Sequence, residues 1–214
     1  MLVWRQNFPL SHHYNLQKQD HWDGKPSKAL KVSNIWHTIR HREAPVTWAS
    51  IVWHRLQVPR FSCHHWLIMH GRVHTLSKLR QFGITNNASC YFCINGIETS
   101  HHLFLECPFT QQMFKHINTG KCSSLPVGWA DWRIELNNFS GQEIFKSIRV
   151  LIFQVGAYQI WRERNNRYHR GESLLPLKLA VMCSKIITSR LSSSKWFAKE
   201  SIKHTALGIW SNNS

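Results

Sequence analysis

Residues 90–107, CYFCINGIETSHHLFLEC, hold three of the six cysteines of this 214-residue chain and two adjacent histidines. Cys90 and Cys93 have the C-x2-C spacing at which a tight turn directs two thiolates toward one ion. His102 and Cys107 complete a set of three thiolates and one imidazole, and soft sulfur ligands in a tetrahedral set favour Zn²⁺. Because four protein ligands leave no open position, this pattern predicts a structural zinc site and argues against catalysis there.

The spacing leaves two points open. His101 competes with His102, and since successive helical residues lie about 100° apart, both cannot serve with equal geometry. The cluster could instead be a group of buried free cysteines beside surface histidines. The other three cysteines, Cys63, Cys122 and Cys183, stand alone in the sequence, and we interpret them as small core residues.

The chain is strongly basic. It contains 27 Lys and Arg against 11 Asp and Glu, which gives a formal net charge of +16. Such a field favours polyanionic partners such as nucleic acid or an anionic membrane surface, although a solvated basic surface without a partner would have the same composition. With 43% hydrophobic residues, most of the chain is expected to fold.

No segment has the features of a membrane span or a signal peptide. The most apolar stretch, 148–161, is short and is interrupted by Arg149, Gln154 and Gln159, whereas a span needs about 20 apolar residues. The N-terminal residues lack the apolar run and the cleavage site of a secretory signal. We therefore expect an intracellular protein, in the nucleus or the cytoplasm, where clustered cysteines indicate metal binding more readily than disulfides.

Apolar residues at spacings of three and four predict a mainly α fold, with a possible short hairpin around the cysteines. Helices are predicted at 46–56 and at 75–83, and 60–71 is either a second helix or a short buried segment. In the helix at 75–83, Thr75 is the N-cap, Leu76, Leu79 and Phe82 share the inner face, and Gly83 is the C-terminal cap. A capping box at 140–143 predicts the start of a long helix that ends near His169, before Gly171. Pro176 opens a last helix with Leu177, Val181, Ile187 and Leu191 on its inner side.

These patterns predict a small helical zinc-binding domain followed by a long amphipathic helical segment. We divide the chain into a loosely ordered N-terminal extension, the zinc-binding domain, a linker rich in Gly, Ser and Asn, a helical C-terminal segment and a tail. The corresponding ranges are 1–34, 35–117, 118–140, 141–196 and 197–214.

The order of motifs before and within the cysteine cluster resembles the reverse-transcriptase zinc-binding domain of plant LINE-type retrotransposons. The resemblance covers 35–117 well and 140–195 more loosely. The matching elements are Pro59-Arg60, Trp66, Gly71-Arg72, Thr75, Leu79, Gly83-Ile84, Cys90, Cys93, His102-Leu103-Phe104 and Glu106-Cys107-Pro108. The combined motif is specific, whereas C-x2-C alone would not be.

The resemblance implies a zinc module from the C-terminal end of a retrotransposon polyprotein, carried behind the polymerase and helping to bind template nucleic acid. It makes His102 the fourth ligand. RNA or DNA, and a reverse transcriptase acting in trans, are then the expected partners. The sequence departs from the family at Ile94, where the family has Gly, so the turn falls on Asn95-Gly96 instead. It also departs at His64 and His65, where the family has aromatic or aliphatic residues.

No paired-aspartate polymerase motif, H-E-x-x-H motif, nucleophile elbow or carboxylate pair is present in the sequence. Two-metal phosphoryl transfer requires converging carboxylates. We therefore predict that the chain is not an enzyme but a detached module of such a polyprotein.

Basic residues mark a candidate nucleic-acid surface. Arg164, Arg167 and Arg170 are three apart and would share one side of a helix, with Glu163 pointing elsewhere. Trp161 or Tyr168 could stack on a base. Additional positive charge beside the zinc module comes from Arg60, Arg72, Lys78 and Arg80.

Two alternatives apply to this surface. The arginines could belong to a solvated helix end, where they favour the helix dipole. The chain could also be a folded remnant or a protein-interaction domain with no nucleic-acid role, which its eleven tryptophans support.

Overall fold

The computed structural model describes residues 46, 48–93, 95–117, 128, 131–132, 134, 136, 138 and 143–194. Over these residues the protein is helical, as the sequence predicted. The helices are α1 (Ala49–Val52), α2 (Pro59–Met69), α3 (Leu76–Gln81), a π-helix (His102–Glu106), α4 (Pro108–Ile117), α5 (Glu143–Arg170) and α6 (Pro176–Ser193). The expected hairpin around the cysteines takes the form of one isolated antiparallel bridge between Ser89 and Ile97. None of the helices in these ranges is long and apolar enough to cross a lipid bilayer.

Proline and glycine set several helix boundaries where the sequence predicted them. Pro176 stands in the first turn of α6, where its missing N–H group costs no hydrogen bond. Gly83 follows α3 with φ of 70° and Gly171 follows α5 with φ of 69°, a backbone conformation that residues with side chains disfavour. The predicted capping box at 140–143 lies outside the described residues except for Glu143, where α5 begins.

The helix predicted over 46–56 was wrong in extent, because only the single turn of α1 forms. After α1 the chain leaves the helix at Trp53, and the following turn buries His54 and Leu56. His54 Nε2 then lies 3.2 Å from Oε1 of Gln154 in α5. This contact spans one hundred residues, and the local apolar periodicity contains no information about it.

Two predicted inner faces also needed correction. In α6, Leu177 and Val181 are 55% and 47% exposed, whereas Ile187 and Leu191 are buried. Residues 181 and 187 differ by six positions, or about 240° around a helix, so they could not share a face. The buried face is the four-spaced row Leu179, Cys183, Ile187 and Leu191. In α3, Phe82 is 62% exposed and lies just beyond the helix.

A single hydrophobic core joins the helices that end at or before Ile117 to helices α5 and α6. Residues 150–157 of α5 are all buried, which is the behaviour of a helix surrounded by other elements. Helices α2, α4 and α6 pack against α5, and α4 also packs against α6. At Gly156 an added Cβ would lie 2.4 Å from Cζ of Phe114, so the absence of a side chain there lets α4 approach α5 closely.

A polar network lies inside this core at Gln154. Its amide nitrogen donates to the carbonyl oxygen of Val52 at 2.9 Å and lies 3.2 Å from Nδ1 of His65. Its amide oxygen lies 3.2 Å from Nε2 of His54 and accepts from the Ser62 hydroxyl at 3.4 Å. Burial lowers the pKa of His54 to about 4 and that of His65 to about 3, so both imidazoles are neutral at pH 7. The network fixes α1 and α2 to the middle of α5.

Candidate metal centre

Backbone hydrogen bonds shape the segment that carries Cys90 and Cys93 into a tight hairpin. The Cys90 N–H donates to the Gly96 carbonyl at 2.7 Å, and the Glu98 N–H donates to the Ala88 carbonyl at 2.8 Å. At the tip, the N–H of Phe92 points to Sγ of Cys90 at 3.4 Å. An N–H donor aimed at sulfur stabilises the thiolate form that a metal ligand requires. The hairpin therefore presents both cysteines from one turn.

A π-helix positions the other two members of the cluster. The Cys107 N–H donates to the His102 carbonyl at 2.7 Å, which closes a turn over five residues instead of four. His102 and Cys107 thus lie within one widened turn, although their spacing exceeds one turn of an α-helix. The chain then leaves the π-helix at Cys107 (φ −59°, ψ 127°), and Pro108 begins α4. Sequence reasoning did not find this turn, since π-helices have no strong local signal.

The four side chains meet in one place. The ligand atoms of Cys90, Cys93, His102 and Cys107 all lie within 4.8 Å of one another. The sulfurs of Cys90 and Cys107 are 3.9 Å apart, and Sγ of Cys93 lies 3.3 Å from Nε2 of His102. Two sulfurs bound to one tetrahedral zinc at 2.3 Å would be about 3.8 Å apart. The donor set and the separation of the Cys90 and Cys107 sulfurs therefore fit a zinc ion.

His101 lies against Glu106 and outside the cluster. Its Nδ1 lies 3.0 Å from Oε1 of Glu106, and both side chains are substantially exposed. His102 instead directs Nε2 toward Cys93. Of the two histidines that the spacing left open, His102 lies in the cluster and His101 lies against Glu106.

Gly96 provides the room that the His102 imidazole occupies. A Cβ built on Gly96 would lie 2.6 Å from Cε1, 3.0 Å from Nε2 and 3.2 Å from Nδ1 of His102. Any side chain at this position would displace the imidazole. Gly96 therefore determines the position of the His102 ring in the cluster.

Electrostatics at the cluster favour a thiolate. Hydrogen bonding from the Cys107 thiol, together with the N–H of Phe92, lowers the pKa of Cys90 to about 5 against the opposing effect of burial. The same hydrogen bond, together with burial, raises the pKa of Cys107. The pair therefore shares one proton. A metal ion takes the place of such a proton, because its ligands must be deprotonated.

The structure does not place Arg164 where a nucleic-acid contact would need it. Its guanidinium forms a buried ion pair with Glu98, with Nη2 at 2.6 Å and Nε at 2.8 Å from Oε1. The same oxygen accepts the Leu76 N–H at the start of α3. Burial raises the pKa of Glu98, and Arg164 opposes that rise. The expectation that Arg164 contacts nucleic acid was wrong, because its guanidinium pairs with a carboxylate inside the protein. Sequence reasoning did not find Glu98 as a residue of this site, although it is the one acidic side chain between Cys93 and His102.

Arg167 is also used within the protein. It pairs with Glu163 at 2.9 Å, so the expectation that Glu163 points elsewhere was wrong. Its other nitrogens donate to the carbonyl of Tyr91 at 3.3 Å and to that of Leu174 at 2.8 Å. The guanidinium carbon lies 4.8 Å and 4.6 Å from the ring centroids of Phe92 and Phe109. Arg164 and Arg167 thus fix α5 to the two sides of the cysteine hairpin.

The remaining basic candidates lie at the surface. Arg60, Arg72, Arg80 and Arg170 are exposed, and Lys78 is half-buried. Arg60 lies over the Phe61 ring and Arg72 over the Trp66 ring, at 5.2 Å and 5.8 Å. Their contact with nucleic acid stays a prediction.

These features define a class: a helical protein in which a Cys3His cluster is fixed to a long helix by two arginines. Comparison with protein families is more specific, because residues 30–114 match the family described as zinc-binding in reverse transcriptase. All four cluster residues lie inside the match, which covers less than half of the chain. No curated protein and no solved structure matches the chain.

Proposed function

We propose that this chain is a non-catalytic zinc-binding module derived from the reverse transcriptase of a plant LINE-type retrotransposon. Cys90, Cys93, His102 and Cys107 would hold one structural Zn²⁺. The observation that carries the proposal is the convergence of these four donor atoms within 4.8 Å, inside a segment that matches a zinc-binding family. A non-catalytic role follows from the donor set, since four protein ligands fill a tetrahedral ion.

Zinc at this position would organise more than the hairpin. The cluster connects the hairpin, which carries Cys90 and Cys93, to the π-helix and its C-cap, which carry His102 and Cys107. Arg164 and Arg167 then connect the hairpin to α5. Because a preformed site is absent in an unfolded chain, the free energy of zinc binding contributes to folding.

Metal analysis of the purified chain tests this part of the proposal. We expect one zinc per chain in the wild type and a loss of zinc, with loss of protease resistance, in Cys93→Ser. Cys63→Ser is the matched control, because Cys63 is exposed on α2 and lies outside the cluster. A wild type that stays equally compact after exhaustive chelation would contradict a structural role for zinc.

We propose further that the module binds RNA or DNA, with a reverse transcriptase acting in trans as a second candidate partner. The net charge of +16 and the exposed Arg60, Arg72, Arg80 and Arg170 support binding to a polyanion. Counterion release predicts that affinity falls steeply between 50 and 200 mM salt, since each neutralised phosphate adds to the slope. Filter binding or fluorescence anisotropy over that range measures the slope.

A protein-interaction domain without nucleic-acid contacts is the second candidate function. The exposed apolar side chains of Phe82 and Ile84, at 62% and 65%, favour it, because neighbouring exposed apolar residues mark protein-binding surfaces. The two functions differ in one measurement. The second predicts no binding to single-stranded oligonucleotides even at low salt.

A further inference from the structure

A groove of about 700 Å³ runs between α2 and the C-terminal half of α5, with the segment 72–84 as its third wall. Its volume lies in the range of small-molecule and nucleotide sites. The groove is separate from the Cys3His cluster, whose four residues do not line it. A ligand of this groove would therefore be distinct from the metal.

The floor of the groove is aromatic. Trp161 and Tyr158 of α5 are 5.7 Å apart, measured between ring centroids. The His64 ring of α2 lies 5.3 Å from Trp161 and 5.6 Å from Tyr158. Trp161 is only half-buried, so part of its indole is accessible from the groove. An accessible indole held by neighbouring rings is a suitable surface for a planar ligand.

His64 carries unused hydrogen-bonding groups next to this floor, and both of them are enclosed by the protein. The residue is 6% exposed, and neither of its ring nitrogens has a hydrogen-bond partner within the described part of the chain. Burial also lowers its pKa to about 4, so the neutral ring offers one donor and one acceptor. Buried polar atoms without partners are uncommon and costly. A ligand in the groove could supply the partner if the imidazole turned one nitrogen toward the groove.

The rim carries positive charge. Arg60 and Arg72 line the groove and are exposed, and no carboxylate of the described residues pairs with either. None of the residues that line the groove is acidic. The remaining arginine of the lining, Arg164, is neutralised by Glu98. The charge at the rim therefore favours an anionic ligand.

We infer that this groove binds an unstacked base of single-stranded RNA or DNA. The base stacks on Trp161, and its edge bonds to His64 after that ring turns toward the groove. The flanking phosphates lie at Arg60 and Arg72. A paired base in a duplex is stacked between its neighbours and cannot enter. The inference rests on the proposed nucleic-acid function and deepens it, because it assigns the site and the form of nucleic acid.

The test compares a single-stranded oligonucleotide with an abasic oligonucleotide of equal length and charge, by fluorescence anisotropy at one salt concentration. We expect the wild type to bind the base-containing strand at least about fivefold more tightly, since stacking of one base contributes on this scale. DNA and RNA strands are measured side by side, and the difference between them reports the contribution of the sugar.

Two variants separate the groove from general electrostatics. His64→Phe preserves the ring packing and should weaken binding of the base-containing strand severalfold while leaving the abasic strand unchanged. Arg72→Gln, at the exposed rim, should weaken both strands more than Lys185→Gln, a matched loss of charge at an exposed position on α6.

Equal affinities for the two strands, or equal effects of Arg72→Gln and Lys185→Gln, would overturn the groove inference and leave salt-dependent binding in place. Absence of binding to either strand would overturn the nucleic-acid function itself. A preference for the base-containing strand that His64→Phe reduces would support the assignment.

Discussion

The close packing of the His102 imidazole on Gly96 can be tested by the smallest possible substitution, Gly96→Ala. The new Cβ would lie 2.6 Å from Cε1 of His102, whereas carbon atoms in contact prefer about 3.5–4.0 Å. To relieve the overlap, either the imidazole or the hairpin must move by about 1 Å. The Cys90 N–H and the Gly96 carbonyl hold the hairpin in place at 2.7 Å, so we expect the imidazole to move.

The magnitude follows from the narrow tolerance of metal geometry. Metal–ligand distances in proteins vary by only about 0.2 Å around their ideal values. A displacement several times larger weakens or breaks the bond from the imidazole to the ion. We expect zinc affinity to fall by at least 10- to 100-fold, the range typical for disturbed ligand orientation. This corresponds to roughly 1.4 to 2.7 kcal/mol.

Competition against a chromophoric chelator of known affinity measures the change directly. Gly83→Ala is the matched control, because Gly83 has φ of 70° and an added Cβ there would meet nothing within 4 Å. That variant should lose about 1 kcal/mol of stability through backbone strain and keep its zinc affinity. Wild-type zinc affinity in Gly96→Ala would refute the assignment of His102 as a ligand in this geometry.

Further substitutions test the core and the buried ion pair. Arg164→Met leaves Glu98 buried without its partner and should reduce the free energy of unfolding by about 3–5 kcal/mol, measured by urea denaturation, and adding Glu98→Gln should restore part of the loss. Gly156→Ala should destabilise by about 1–3 kcal/mol despite the better helix propensity of alanine, because its Cβ would meet Phe114 at 2.4 Å; an increase in stability would contradict the packing. Burial lowers the pKa of His64 to about 4, so the stability this residue contributes is present above pH 6.5 and is lost as the pH falls toward 4. When the pH is lowered from 7 to 5, the free energy of unfolding of His64→Phe should therefore fall by about 2 kcal/mol less than that of the wild type. Denaturation at saturating zinc measures this difference.

The features predicted correctly from sequence are those with a local signal. A short hairpin was expected around the cysteines and is present as one bridge between Ser89 and Ile97. Gly83, Gly171 and Pro176 predicted helix boundaries. Each of these residues acts through its own backbone conformation or its near neighbours, so a short window of sequence contains the cause.

The features missed depend on partners far along the chain. Arg164 meets Glu98 across 66 residues, and Gln154 meets Val52 across 102 residues. Helical periodicity assigned Arg164 to a charged helix face. It could not show that the guanidinium would pair with a buried carboxylate from another part of the chain. The π-helix was missed for a related reason. Its widened turn brings His102 and Cys107 into the cluster, and the residues His102–Glu106 have no local propensity that would predict it.

The hydrophobic core extends beyond the segment that matches the family, and this affects where the chain can be truncated. Similarity to the family stops at residue 114, yet Met113 and Phe114 pack around Gly156 of α5, and Phe114 stacks on Phe153. The limit of similarity is thus not a limit of packing. A polypeptide that ends at residue 114 would expose these side chains to water and would lack Arg164 and Arg167, which hold the hairpin against α5. We therefore expect it to aggregate even though Cys90, Cys93, His102 and Cys107 are all present.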